Sequence, residues 1–255
     1  MTELYTELFQ NIWKGKPVWE HIQAKELTSI PCFLGKQYNN GSDKKIMVVG
    51  RAVNGWEGKF EDCSSLEATV QSVLTQENRL HEFANKYYLN EDGSKYYYAK
   101  SSFNRLMKQL VKKSTGSDEH WEERIAWTNL FKVSPKEGNN PEWRLIRNQI
   151  NTYREILRKE ILNAQPDLVV FSTEAPSVSF LDPYNEKDKL RKKYSSFSEL
   201  FVCVKTEGFG ENICEAGRLK DNGDIKYVVC MRPEKRSVEK LVDDIWAAYL
   251  SVLDS

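Results

Sequence analysis

The sequence predicts an α/β domain built on a mainly parallel sheet, and three features predict it. Ile46-Met47-Val48-Val49-Gly50 is a short continuous apolar run that stops at glycine, the pattern of a strand covered on both faces. Ile150, Tyr153, Leu157 and Ile161 recur at helical spacing, Gln165-Pro166 stops that helix, and Leu168-Val169-Val170-Phe171 follows after a short turn. A helix delivering a strand in this way is the second half of a βαβ unit, which makes the sheet mainly parallel. Finally, Tyr227-Val228-Val229-Cys230-Met231 gives way at Arg232-Pro233 to a closing helix. Ser237 is its N-cap, and Val238, Leu241, Val242, Ile245, Tyr249 and Val252 form its one apolar face.

The remaining elements fall into place around these. Residues 1–43 read as an N-terminal helical extension, with Leu4, Leu8 and Ile12 on one face and a loop at Tyr38-Asn39-Asn40-Gly41-Ser42. Ile125-Ala126-Trp127-Thr128-Asn129-Leu130 reads as a second strand, preceded by Glu122, Glu123 and Arg124, and Leu200-Phe201-Val202-Cys203-Val204 as a further one. No repeat, low-complexity tract or linker divides the chain, so residues 1–255 are read as one domain.

Composition limits what this domain does. The chain is 40% hydrophobic and 29% charged, an ordinary globular balance that argues against disorder. Lys+Arg and Asp+Glu each number 37, so no overall basic field recruits nucleic acid and any such binding must come from a local patch. The five cysteines, Cys32, Cys63, Cys203, Cys214 and Cys230, are scattered without a CxxC pair, which argues against a disulfide framework, structural zinc or an iron–sulfur cluster. They suit a reducing cytoplasm. The acidic N-terminus has no secretory pattern, and no apolar run approaches the roughly 20 residues that cross a bilayer. A soluble cytoplasmic protein is expected, with no membrane partner.

Ligands of open α/β sheets bind outside the carboxyl ends of the strands, which nominates the loops after Gly50, Asn129, Phe171 and Met231. In Gly50-Arg51-Ala52-Val53-Asn54-Gly55-Trp56, the glycines permit close backbone approach while Asn54 and Trp56 offer hydrogen bonding and stacking; the same segment also suits a tight turn with a packed tryptophan. The Asn129 amide donates and accepts together, as the reading of a nucleobase edge requires, although asparagine is also a common turn residue. Arg232, Lys235 and Arg236 lead into a helix start, where cations and backbone amides favour a phosphate or a developing anion. The basic run Lys187 to Lys193 reads as a solvated patch. His21, His81 and His120 all lie away from these loops, and Cys230 reads as a buried small hydrophobe.

In order and spacing, five segments together resemble the uracil-DNA glycosylase superfamily over about residues 44–250. They are Val48-Val49-Gly50 with its Asn-bearing loop, Ser102-Phe103-Asn104-Arg105-Leu106-Met107 opening a helix, Trp127-Thr128-Asn129-Leu130, Asp167-Leu168-Val169-Val170-Phe171, and Arg232-Pro233 with Ser237. The resemblance implies three αβα layers with four parallel strands between helices, a flipped base held in the crevice, and hydrolysis of the bond joining base to deoxyribose. It implies DNA, single- or double-stranded, as partner, and a reaction that needs no metal and no cofactor.

Carried over by position, the resemblance makes Asn54 the water-positioning residue, Asn129 the base reader and Arg232 the occupant of the place where the family has a histidine. Gly50, Arg51, Trp56, Phe103 and Ser237 line the substrate, with Trp56 or Phe103 near the stacked base. The sequence departs from the family in two places. Ala52-Val53 stands where the family has Asp-Pro or Asn-Pro, and arginine, with its high pKa, excludes ordinary proton exchange while keeping a cation that stabilises a base anion. A non-catalytic binder of nucleic acid or nucleotide on the same fold is therefore the competing expectation, with another small-molecule reaction on an α/β sheet ranked third. The absence of Gly-x-Gly-x-x-Gly and phosphate-loop patterns counts against dinucleotides and nucleoside triphosphates.

Overall fold

Apolar alternation sets the position of every central strand. In the computed structural model, β3 (Ile46–Gly50) sends Ile46 and Val48 to one face of the sheet and Met47 and Val49 to the other, and all five residues are buried. The model describes residues 1–14, 27–40, 43–52, 65–76, 87–89, 92–97, 100–135, 141–173, 201–205 and 210–253. Asn54, Trp56, Cys63, His21, His81 and the basic run 187–193 lie outside them.

Among the described residues the main sheet has seven strands in the order β2 (Phe33–Leu34), β6 (Ile125–Asn129), β3, β8 (Leu168–Ser172), β11 (Lys226–Cys230), β10 (Ile213–Leu219), β9 (Phe201–Lys205). It is a mixed sheet: β6, β3, β8 and β11 pair in parallel with one another, while β2 joins β6, β10 joins β11 and β9 joins β10 antiparallel. This corrects the expected four-stranded, mainly parallel sheet. Of the three antiparallel strands, β9 matches the further strand expected at Leu200–Val204, while β2 and β10 escaped the periodicity reading for physical reasons. A two-residue β2 has no period, and in β10 the charged Glu215 and Arg218 interrupt an apolar run on a strand that also carries two register shifts. Two smaller pairs, β1 (Leu27–Ser29) with β7 (Val133–Pro135) and β4 (Tyr87–Leu89) with β5 (Lys95–Tyr97), were likewise not anticipated.

Helices cover both faces. On the first lie α3 (Ser102–Thr115) and α5 (Val238–Leu253), whose Leu106, Leu110, Leu241 and Ile245 pack with Val48, Val170 and Val228. On the second lies α4 (Trp143–Ala164), whose Ile150, Tyr153, Leu157 and Ile161 meet Met47, Val49 and Phe171, the stripe read from sequence. Beyond α4 sit α1 (Thr2–Lys14) and α2 (Leu66–Leu74), sharing a third cluster that includes Tyr5, Phe9, Val70, Val73 and Ile156. Among the described residues of the 1–43 segment, α1 stands at the start and β1 and β2 also belong to it, so the segment is not helical throughout.

Helix ends obey local chemistry. Ser101 Oγ accepts from Asn104 N at 3.2 Å and opens α3, and Gly116, at φ 79°, closes it in the left-handed conformation that glycine adopts without strain. No helix of the described residues is long and apolar enough to cross a membrane.

Candidate functional site

The chain order locates a candidate site before any side chain is considered. After β3 the chain forms α2, which lies beyond α4, and then β4 and β5 before α3 covers the first face; α4 follows β6 and covers the second. In chain order the parallel strands β6, β3, β8 and β11 lie second, first, third and fourth, so the order reverses between β3 and β8, and the carboxyl end of β3, with β6 on its other side, borders the switch point where α/β proteins bind ligands.

Gly50 and Asn129 end those two strands and are register partners. The parallel pairing continues past the strands, with Leu130 N donating to Gly50 O at 2.8 Å and Phe131 N to Arg51 O at 3.0 Å. A Cβ built on Gly50 would lie 2.4 Å from Asn129 Oδ1 and 3.3 Å from Phe103 Cζ. The Asn129 amide therefore rests over the bare Gly50 Cα, beside the Phe103 ring, and only a glycine leaves room for it. Phe103 itself stands over Trp127, with ring centroids 6.0 Å apart, on the face that Trp127 shares with Asn129 two residues on.

Asn129 is 1% exposed, and its Nδ2 makes no hydrogen bond with the protein. A buried amide donor left unpaired costs about 1–3 kcal/mol, so its retention calls for a partner that the fold does not supply. Along the same row, Ser172 of β8 stands one residue beyond the Val49–Phe171 pair, and Cys230 of β11 pairs with Ser172. Burial, then the neighbouring Cys214, pushes the Cys230 thiol up, so it stays protonated and supplies no nucleophile.

Gly50, Phe103 and Asn129 are thus brought together, with the half-buried Arg51 beside them; Arg232 and Ser237 are not. β11 is two strands from β3 and three from β6, which separates the backbones by roughly 10 and 14 Å. Arg232 instead pairs with Glu234 at 3.0 Å, and Arg236 Nη1 donates to Asn212 Oδ1 at 3.2 Å. Ser237 Oγ accepts from Lys240 N at 3.3 Å and donates to Glu239 Oε2 at 3.2 Å, the geometry of a helix cap. The Glu239 carboxyl, held below the usual carboxylate range by its own backbone amide and the Ser237 hydroxyl, already supplies an anion at the start of α5. Of the cations at this strand end, Arg232 is thus matched by a carboxylate and Arg236 by an amide oxygen.

A cavity of about 100 Å³ lies at the opposite end of the sheet, lined by Tyr38, Lys44, Lys45, Arg124, Ser114 and Thr115 among others. It faces the amino end of β3 and the C-terminal carbonyls of α3, whose partial negative charge opposes the anion that its three cations would attract. The crevice at the carboxyl ends remains the stronger candidate on topology.

Sequence reasoning missed a buried ion pair on the second face. Lys132 is 0% exposed; its Nζ lies 2.5 Å from Glu160 Oε2 and 2.6 Å from Thr128 Oγ1, which itself donates to Glu160 at 2.8 Å. A signal was available: Glu160 falls three residues after Leu157 and so on the apolar stripe of α4. Among the described residues no group of three or more His, Cys, Asp or Glu is gathered to hold a metal ion. No family model matches the chain, and no curated protein is significantly similar to it.

Proposed function

We propose that the chain is a glycosylase-like protein that takes an extruded base into the crevice between β3 and β6 and hydrolyses the N-glycosidic bond of uracil or another damaged base in DNA. The observation that carries this reading is the Asn129 amide, buried over Gly50 with an unpaired Nδ2 at the carboxyl ends of the neighbouring strands β6 and β3. An asparagine amide donates and accepts side by side, matching a nucleobase edge that presents an acceptor beside a donor. Phe103 supplies a flat apolar wall next to it. Extruding a base costs a few kcal/mol, which burial against such a wall and pairing with the amide offset. In the hydrolysis itself the water oxygen bonds to the sugar C1′ and gives up a proton, the carbon–nitrogen bond breaks, its electron pair leaves with the base, and the base anion takes up a proton. Asn54 is the water-positioning group in this proposal, and the basic end of β11 supplies positive charge toward the departing anion.

One observation favours the second reading, a binder without chemistry. Arg232 is paired with Glu234, which weakens the charge it can offer a leaving base. Excision from short labelled single- and double-stranded DNAs carrying uracil or other damaged bases, followed by alkali cleavage, separates the two. Abasic product from the parent and a loss of roughly 10- to 100-fold in Asn129→Ala support excision. Base-dependent binding with no abasic product supports the binder. Neither product nor base-dependent binding overturns both.

A further inference from the structure

The β4–β5 hairpin has a built face with no place in the core. Tyr87 and Tyr97 are directly opposed across its two strands, with ring centroids 5.6 Å apart, and both are exposed, at 43% and 38%. Lys95, two residues before Tyr97, shares that face by strand alternation, and its Nζ lies 4.3 Å from the Tyr87 centroid. Lys100 Nζ lies 5.5 Å from the Tyr97 centroid. None of the hairpin's described residues belongs to the three core clusters. Asp92 at the turn accepts from Ser94 N at 2.8 Å and so serves the turn rather than this face. Two aromatic rings standing out of the surface between two ammonium groups form a platform for flat π-systems joined by anions.

We propose that this hairpin binds an unpaired nucleic-acid strand, its bases stacking on Tyr87 and Tyr97 and its phosphates meeting Lys95 and Lys100. Stacking platforms interleaved with cations are how single strands are held without regard to sequence, because every base has a π-face and every linkage a charge. An apolar peptide would use the rings and leave the lysines unmatched; a duplex hides the base faces. The hairpin leads through Lys100 into Ser101 and Phe103 at the start of α3, so a strand on it is delivered to the end of the sheet where Gly50 and Asn129 meet. This placement rests on the proposed function; binding by the hairpin does not. The sequence carried the signal in two tyrosine clusters, Tyr87-Tyr88 and Tyr96-Tyr97-Tyr98, flanked by Lys86, Lys95 and Lys100.

The test is fluorescence anisotropy of the full chain with labelled oligothymidylate and with a duplex of equal length, neither bearing a damaged base. The single strand should bind more tightly than the duplex and weaken as salt rises. Tyr87→Leu and Tyr97→Leu, which keep apolar bulk in the hairpin, should each weaken it roughly 5- to 150-fold, Tyr→Phe at either position should preserve it, and Lys95→Gln should flatten the salt dependence. Equal binding by the parent and both leucine variants, no binding by the parent, or preference for the duplex overturns the proposal. Asn129→Ala should bind oligothymidylate like the parent, so lost excision with retained strand binding separates failure at the crevice from failure at the hairpin.

Discussion

At the scale of single residues, Gly50 and Asn129 are each explained by the other. Asn129 keeps its buried conformation because Gly50 has no Cβ, and Gly50 is glycine because Oδ1 of Asn129 would stand 2.4 Å from one. Gly50→Ala should therefore displace the amide, cost about 1–3 kcal/mol by overpacking, and reduce base-dependent binding or excision along with it. Gly223→Ala, where a Cβ meets nothing within 4 Å, should stay within about 0.5 kcal/mol of the parent in the same denaturation series. Equal behaviour of the two variants would remove Gly50 from the site. The pairing was legible because both residues end apolar runs, where the strand-end rule points. Arg232 and Ser237 also follow a strand end, but sequence carries no record of lateral strand order, and β11 proves to be two strands away from β3. What their neighbours Glu234 and Glu239 do to them was likewise invisible until distances existed.

Elements were legible in proportion to how completely they are buried. β3, β8 and β11 are covered on both faces, so their sequences are unbroken apolar runs, and α4 and α5 each present one apolar stripe to one face of the sheet. The strands that went unread lie outside the parallel centre of the main sheet, where a side chain need not be apolar: β2 is two residues long, β10 carries Glu215 and Arg218, and the β4–β5 pair carries Tyr87, Lys95 and Tyr97. Helix starts depend on one side chain, and α3 depends on Ser101, whose Oγ accepts from Asn104 N. Because α3 carries Phe103 in its first turn, this cap also sets one wall of the crevice. Ser101→Ala should cost about 1 kcal/mol in chemical denaturation, and Ser101→Asp should restore most of it. A loss in the aspartate variant as large as in alanine would mean that the hydroxyl serves something other than the helix start.

Across the whole molecule, the end of β6 works in two directions. Alternation sends Asn129 to the α3 and α5 side, where its Nδ2 lacks a protein partner, and Thr128 to the α4 side, where it donates to Glu160 Oε2 and accepts from Lys132 Nζ while Glu160 Oε1 stays without a partner. That contact ties layers together. Lys132 follows β6, Glu160 belongs to α4, and Gln149 of α4 accepts from the backbone N–H of Lys132 and Val133 while donating to Val133 O. Tyr5 of α1 reaches the same region, its phenol kept protonated first by burial and then by the Glu160 carboxylate, and burial followed by the same carboxylate pushes the Cys32 thiol up. The sheet, α4 and α1 therefore share one electrostatic knot directly behind the crevice. Taking two charges out of water costs several kcal/mol per ion, so the pair adds little net stability, yet losing one partner strands the other. Lys132→Met should destabilise the fold by about 3–5 kcal/mol in chemical denaturation, whereas Lys132→Met combined with Glu160→Leu should recover most of that loss. If the pair merely fills space, the two single variants and the double will add without coupling. If it holds the layers in register, the double variant will regain stability, and the position of Asn129 over Gly50 will be read in whether base-dependent binding returns with it.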